Sequence, residues 1–255
     1  MLARYLTWAF LFLLTGCGLQ TIGIKHIDTL LMMQASRKMD LHSKQKDVLA
    51  ADIAAFLNAQ KGHVPTLDAL LREVDLARPE KFEGQWQRAI VEYRRAARET
   101  AVVIARQLAH LSAEQRAYFN KNLIEENNKL EDKGLNRDQV EERVEWFLGE
   151  LRPPQQTAIN THLPVLQARR VVRLGLRRKL QARLAELMNG QAVDREQLMV
   201  RAFVDYQEAG TADQGPVLAF YADLVRQIDG KQKRRFEERR GELLELLKTF
   251  VATNY

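Results

Sequence analysis

A long apolar stripe sets the fold class of this chain. It begins at Phe82 and returns every three or four residues through Trp86, Ile90, Tyr93, Ala97, Ala101, Ile104 and Leu108 to Leu111. That spacing follows the helical period and puts these side chains on one face. A helix starting near Glu80 would be roughly 45 Å long at about 1.5 Å per residue. No stretch alternates with period two strongly enough to make a strand. Leu, Ala, Arg, Glu and Gln dominate, and aromatic residues are only 7%, which favours helix over sheet.

Helix-start and helix-stop signals divide the rest. Ile27–Met39 and Ser43–Gln60 read as helices, and Thr66 is the expected N-cap of a short helix reaching Val74. Ser112/Gln115, Asn136/Gln139, Asp194/Gln197 and Asp229/Gln232 follow capping-box logic, in which a short polar side chain accepts from the N3 amide and the Gln reaches back. Pro153-Pro154 marks another start, and Gly134, Gly149, Gly190 and Gly210 sit where helices should stop. The expectation is an all-α fold, an elongated multi-helix bundle of about eight to ten helices. Residues 27–255 would form one domain, with a soft boundary near 190. Such a length suffices for a sizeable core.

The N-terminus reads as an address. Met1–Arg4 is a short n-region with one positive charge, and Tyr5–Leu14 is an apolar run. That run is too short for a permanent span, which needs about 20 residues, and suits the h-region of a secretory signal. Leu14-Thr15-Gly16-Cys17 follows, and Cys17 is the single cysteine of the chain. One cysteine excludes an intrachain disulfide framework and any multi-Cys metal centre. The tetrapeptide resembles the bacterial lipobox. The resemblance implies a diacylglycerol thioether on Cys17, cleavage between Gly16 and Cys17, and acylation of the new amine. Several acyl chains anchor stably where one is marginal. Residues 1–16 would then be the signal and 17–26 a lipidated tether. Gly18 in place of Asp points to the outer membrane, with the protein facing the periplasm.

A large residue precedes a Gln by four positions in Leu41/Gln45, Leu111/Gln115, Leu151/Gln155 and Ile228/Gln232. The separations are 70, 40 and 77 residues, so this is no tandem repeat of fixed period. The apolar residue acts as a hydrophobic staple and the Gln as the return arm of the cap. Leu111-Ser112-Ala113-Glu114-Gln115 resembles the Leu-Thr-Pro-x-Gln signature of small periplasmic helical chaperones that respond to envelope stress. The order of elements is similar to that of a proteobacterial lipoprotein family of unknown function. In this chain it runs from Asp40–Gln45 through Leu111–Asn128 and Glu141–Gly149 to Leu151–Gln155. His42 and Arg152 depart from the Thr of that pattern. The resemblance implies a helical lipoprotein and brings no activity with it.

His26, His42, His63, His110 and His162 form no His-Glu-x-x-His or Glu-x-x-His arrangement, and no nucleophile elbow, Walker loop or dinucleotide fingerprint occurs. Glu125-Glu126 and Glu141-Glu142 with Glu145 could pair carboxylates, though Glu-rich helix faces are usually solvated. The expectation is a protein that is not an enzyme and holds no cofactor or metal. Two basic stretches remain, Arg169–Arg183 and Lys231–Arg240. Arg169, Arg170, Arg173 and Arg177 share one helical arc, with Val171, Val172, Leu174, Leu176, Leu180 and Leu184 supplying apolar surface. The arc is the expected contact for an envelope protein or an anionic surface; its alternative is a face simply solvated among glutamates. The formal net charge of +6 agrees with either. Nucleic acid is not an expected partner outside the cytoplasm. The expected function is non-catalytic binding or chaperone-like holding in the envelope, with a structural adaptor or a hydrolase of envelope material as alternatives.

Overall fold

The computed structural model describes residues 23–76 and 78–255; ten α-helices follow one another, and no strand occurs among the described residues. The order is α1 (Ile27–Met39), α2 (Ser43–Gln60), α3 (Val64–Glu73), α4 (Phe82–Ala109), α5 (Ala113–Lys133), α6 (Arg137–Leu148), α7 (Pro153–Asn189), α8 (Arg195–Gly210), α9 (Gly215–Val225) and α10 (Gly230–Ala252). The fold is an all-α multi-helix bundle. No described helix is long and apolar enough to cross a membrane. The signal segment, Gly16 and Cys17 lie outside the described residues.

Local chemistry explains most helix ends. Ser112 and Asp229 each accept from the amide of the Gln three residues on, at 3.2 and 2.8 Å, and each Gln returns a bond to the cap amide. Asn136 accepts from Gln139 N at 3.0 Å. Two expected starts differ. Asp194 makes no side-chain cap bond. The short third helix starts at Val64, not after Thr66, because Pro65 falls in its first turn, where its missing amide is harmless. Gly134 and Gly149 end α5 and α6 with φ of 57° and 76°. Asp40, at φ 51°, does the same after α1 without being glycine.

The apolar stripe of α4 is fully buried only in its second half, at Ala97, Ala101, Ile104, Ala105 and Leu108. Three alanines there let the backbone approach α8, its main partner. Polar bonds hold the earlier turns of this pair: Tyr93 Oη donates to Gln207 Oε1 at 2.5 Å, and Arg94 Nε to Thr211 Oγ1 at 2.8 Å.

Two apolar clusters form. The larger gathers side chains from α1, α2, α4, α5, α8 and the ends of α7 and α10. The smaller joins Val140, Val144, Leu148 and Leu151 to Ala158, Ile159, Phe220 and Leu224. α7, of 37 residues and therefore roughly 55 Å long at about 1.5 Å per residue, enters the small cluster at Ile159 and the large one at Leu180. Leu187 and Met188 before Gly190, and Met199 and Phe203 after it, share the large cluster. The core therefore does not divide near 190.

The four Gln-terminated segments meet in two pairs. At the first junction Gln115 Nε2 donates to Gln45 Oε1 at 2.7 Å and to Asp40 O at 2.7 Å, while Gln45 Nε2 reaches His110 O at 3.3 Å. At the second, Gln232 Nε2 donates to Gln155 Oε1 and to Glu150 O, both at 2.8 Å. Leu41, Leu111 and Leu151 are buried beside these bonds. The first junction joins the α1–α2 turn to the α4–α5 turn. The second joins the α6–α7 turn to the α9–α10 turn, so both fall at equivalent places in two five-helix halves.

Candidate binding cleft

The arginine arc of α7 is not an open contact surface. Arg177 is 5% exposed and pairs with Glu126 at 3.2 Å. Arg170 donates to Leu130 O at 2.7 Å, and burial followed by the charge of Arg143 pulls its guanidinium below the usual arginine range. Arg169 is partly covered and lies 3.3 Å from Asp213. Only Arg173 of the four is exposed, while Val171 and Val172, expected inward, are 70% and 62% exposed. Counting at 100° per residue gives the reason. The buried positions Gln155, Ala158 and Ile159, and further on Leu180, Leu184 and Leu187, fall on the same arc as the four arginines. The arc continues the core-facing side of α7 across the interval between the clusters. Arg169, Arg170 and Arg177 face inward there, where a carboxylate or carbonyl meets each of them, while Arg173 stays exposed.

The second basic stretch divides differently. Arg239 is buried, donating to Trp146 O at 3.1 Å and to Glu242 at 2.6 Å, with its guanidinium 4.8 Å from the Trp146 ring centre. Arg240 donates to Val74 O at 2.9 Å and pairs with Glu237. These two lie on the arc of Gln232 and Phe236, which is the inward side of α10. Lys231, Arg234, Arg235 and Glu238 share the outward arc.

That outward arc borders a cleft of about 570 Å³ beside the second glutamine junction. The α6–α7 turn supplies Gly149, Glu150, Leu151 and Arg152, and α10 with its cap supplies Asp229, Lys231, Arg234, Arg235 and Glu238. Gly149 lines the wall with a φ of 76°, which favours glycine. One solvated ion pair spans the opening, and a second runs along α10. Lys231 Nζ lies 3.6 Å from Glu150, with both side chains more than three-quarters exposed, and Arg235 lies 3.3 Å from Glu238. Asp229 is committed to its cap. The amide of Gln232 first, then the amide of Lys231 and the charges of Arg152 and Lys231, hold its carboxyl below the usual carboxylate range. Arg152, Lys231, Arg234 and Arg235 line the cleft beside Glu150, Asp229 and Glu238, with Lys231 near Glu150, Arg235 near Glu238 and Asp229 held by its cap. The cleft can hold an anionic group without displacing any buried bond.

Glu125, Glu126 and Glu141 each meet a cation. Glu125 stands 4.0 Å from Lys121, Glu126 is taken by Lys38 and Arg177, and Glu141 pairs with Arg137 at 2.6 Å. One arrangement was not visible in the sequence: His162 Nε2 lies 2.7 Å from Asp223 Oδ2, joining α7 to α9. Asp223 also accepts from Arg226 at 2.9 Å, which makes this a bridge between helices. Among the described residues no group of three or more His, Cys, Asp and Glu is placed to hold a metal ion.

No protein-family model, no curated protein and no solved structure matches this chain.

Proposed function

We propose that this chain is a lipid-anchored envelope protein, held at the outer membrane through Cys17 and facing the periplasm, that binds an acidic segment of a partner protein without catalysis. The observation that carries the binding site is the cleft at the second glutamine junction, where Arg152, Lys231, Arg234 and Arg235 converge around about 570 Å³. The anchor rests on Leu14-Thr15-Gly16-Cys17 and the apolar run before it. Charge complementarity of this kind gives specificity and fast association more than raw affinity.

The test is a crosslinking capture of the lipidated protein from its native envelope, beside an Arg234→Ala/Arg235→Ala variant, with mass spectrometry of the N-terminal peptide. The expected result is an acyl-modified Cys17 and a partner that is lost in the variant and displaced by polyglutamate. A partner retained by the variant and indifferent to polyglutamate overturns the cleft as its site. An unmodified Cys17 overturns the anchor.

A further inference from the structure

Helix α1 carries apolar side chains on two faces. Ile27, Leu31, Ala35 and Met39 point into the large cluster. On the other side Leu30 is 48% and Met33 64% exposed, and at 100° per residue they share one arc with the exposed Arg37. A lone exposed aliphatic side chain is ordinary. A Leu–Met pair one turn apart, with Arg37 beyond it and exposed Lys25 before it, has the make-up of a helix lying on lipid. Its apolar centre enters the acyl boundary and its cationic ends meet head groups.

Position supplies the occupant. Ten residues lead from Cys17 to Ile27, a span of at most about 35 Å even when fully extended. An anchor at Cys17 therefore keeps α1 beside the bilayer, and anionic head groups complement Lys25 and Arg37. We propose that the Leu30–Met33 face of α1 docks on the membrane surface and sets the orientation of the bundle above it. This rests on reading Cys17 as the lipid anchor.

The lipid occupies the Cys17 thiol, so Met33→Cys introduces a single labelling site in the acylated protein. A fluorophore there is compared with one at Val193→Cys, in a fully exposed turn, in vesicles of phosphatidylethanolamine and phosphatidylglycerol carrying nitroxide lipid. The expected result is several-fold stronger quenching at position 33 than at 193, abolished by adding Leu30→Glu with helicity unchanged. Equal, weak quenching at both positions in protein shown by mass to be acylated overturns the docking and leaves the anchor standing. A blue-shifted label at 33 without vesicles assigns the face to a protein surface and also overturns it. An intact, unacylated chain in the mass spectrum marks the failure of the anchor itself.

Discussion

The side-chain amides of Gln155 and Gln232 donate to each other, at 3.0 and 2.8 Å, from helix starts 77 residues apart. Gln155 is fully buried and Gln232 is 2% exposed. Each oxygen also accepts from its own cap amide, at Arg152 and Asp229. One pair of amides thus closes two caps and fastens the turns that form the cleft.

Removing one member strands the other. Gln155→Leu leaves the Gln232 amide and the Arg152 N–H short of partners, and a buried unsatisfied group costs about 1–3 kcal/mol. Gln232→Leu should cost a similar amount. The double variant should lose less than the sum of the two, since neither side-chain amide is then left facing an apolar partner. Urea unfolding of the three variants measures the coupling; strict additivity would mean the two amides act independently.

The first junction carries a weaker cap. His42 Nδ1 accepts from Gln45 N at 3.4 Å, against 2.8 Å for Asp229 at its own site. His42→Asp should stabilise the fold by about 0.5–1 kcal/mol, combining a shorter cap bond with a negative charge at the start of α2. Thermal melts of both proteins read the difference.

Lys38 is 6% exposed and contacts Glu126, yet its ammonium is lowered from 10.5 to about 8. Burial is the main cause, followed by the charges of Arg37, Arg177 and Lys129. The unfolded chain binds this proton up to about 10.5 while the folded chain releases it near 8. Folding stability should therefore rise with pH between these values as the buried charge is relieved. Lys38→Met should flatten that part of the stability profile. It should leave the protein as stable at pH 7 within about 1 kcal/mol, since Arg177 still meets Glu126. Denaturant midpoints between pH 7 and 10.5 decide it.

Within α7, Arg173 and Arg177 sit on one arc but should behave differently. Arg177→Ala removes a buried partner of Glu126 and should cost about 2–4 kcal/mol. Arg173→Ala, at an exposed position, should stay within about 0.5 kcal/mol. Equal effects would contradict the burial of Arg177 beside the exposure of Arg173.

The orientation of α7 shows where the sequence was legible and where it was not. Helices that carry their own start and stop chemistry, such as Ser112 with Gln115 or Gly149 after Leu148, could be placed from neighbours in the chain. So could α1 and α2, to the residue. The facing of α7 could not be read from its basic stretch alone, because Val171 and Val172 next to arginines look like an inward side. Extending the frame back from Leu180, Leu184 and Leu187 puts the arginines on that side instead. The glutamine pairing, and with it the cleft, needed contacts across 70 and 77 residues that no local pattern encodes. Lys231, Arg234 and Arg235 were visible as charge, but not as the wall of a cavity whose other side is the α6–α7 turn.

Tyr255 fastens the entry to the bundle. Its hydroxyl donates to Ile24 O at 3.0 Å, its carbonyl accepts from Asn58 Nδ2 at 3.2 Å, and Lys61 Nζ lies 5.2 Å from the ring centre. The ring also stands 5.4 Å from Phe250 in the large cluster. Burial pushes the phenol up from 10.0 to about 12. The folded protein therefore keeps this proton where the unfolded chain has lost it, and the associated stability should fall as pH rises from 10 to 12. Tyr255→Phe keeps the ring packing and removes the bond to Ile24, which should cost about 1 kcal/mol. The local consequence is the sharper test. Amide exchange should quicken at the start of α1 and stay unchanged in α7 and α8, because the lost bond holds only the segment leading into α1. Uniform acceleration across all helices would instead make Tyr255 a general stabiliser of the fold.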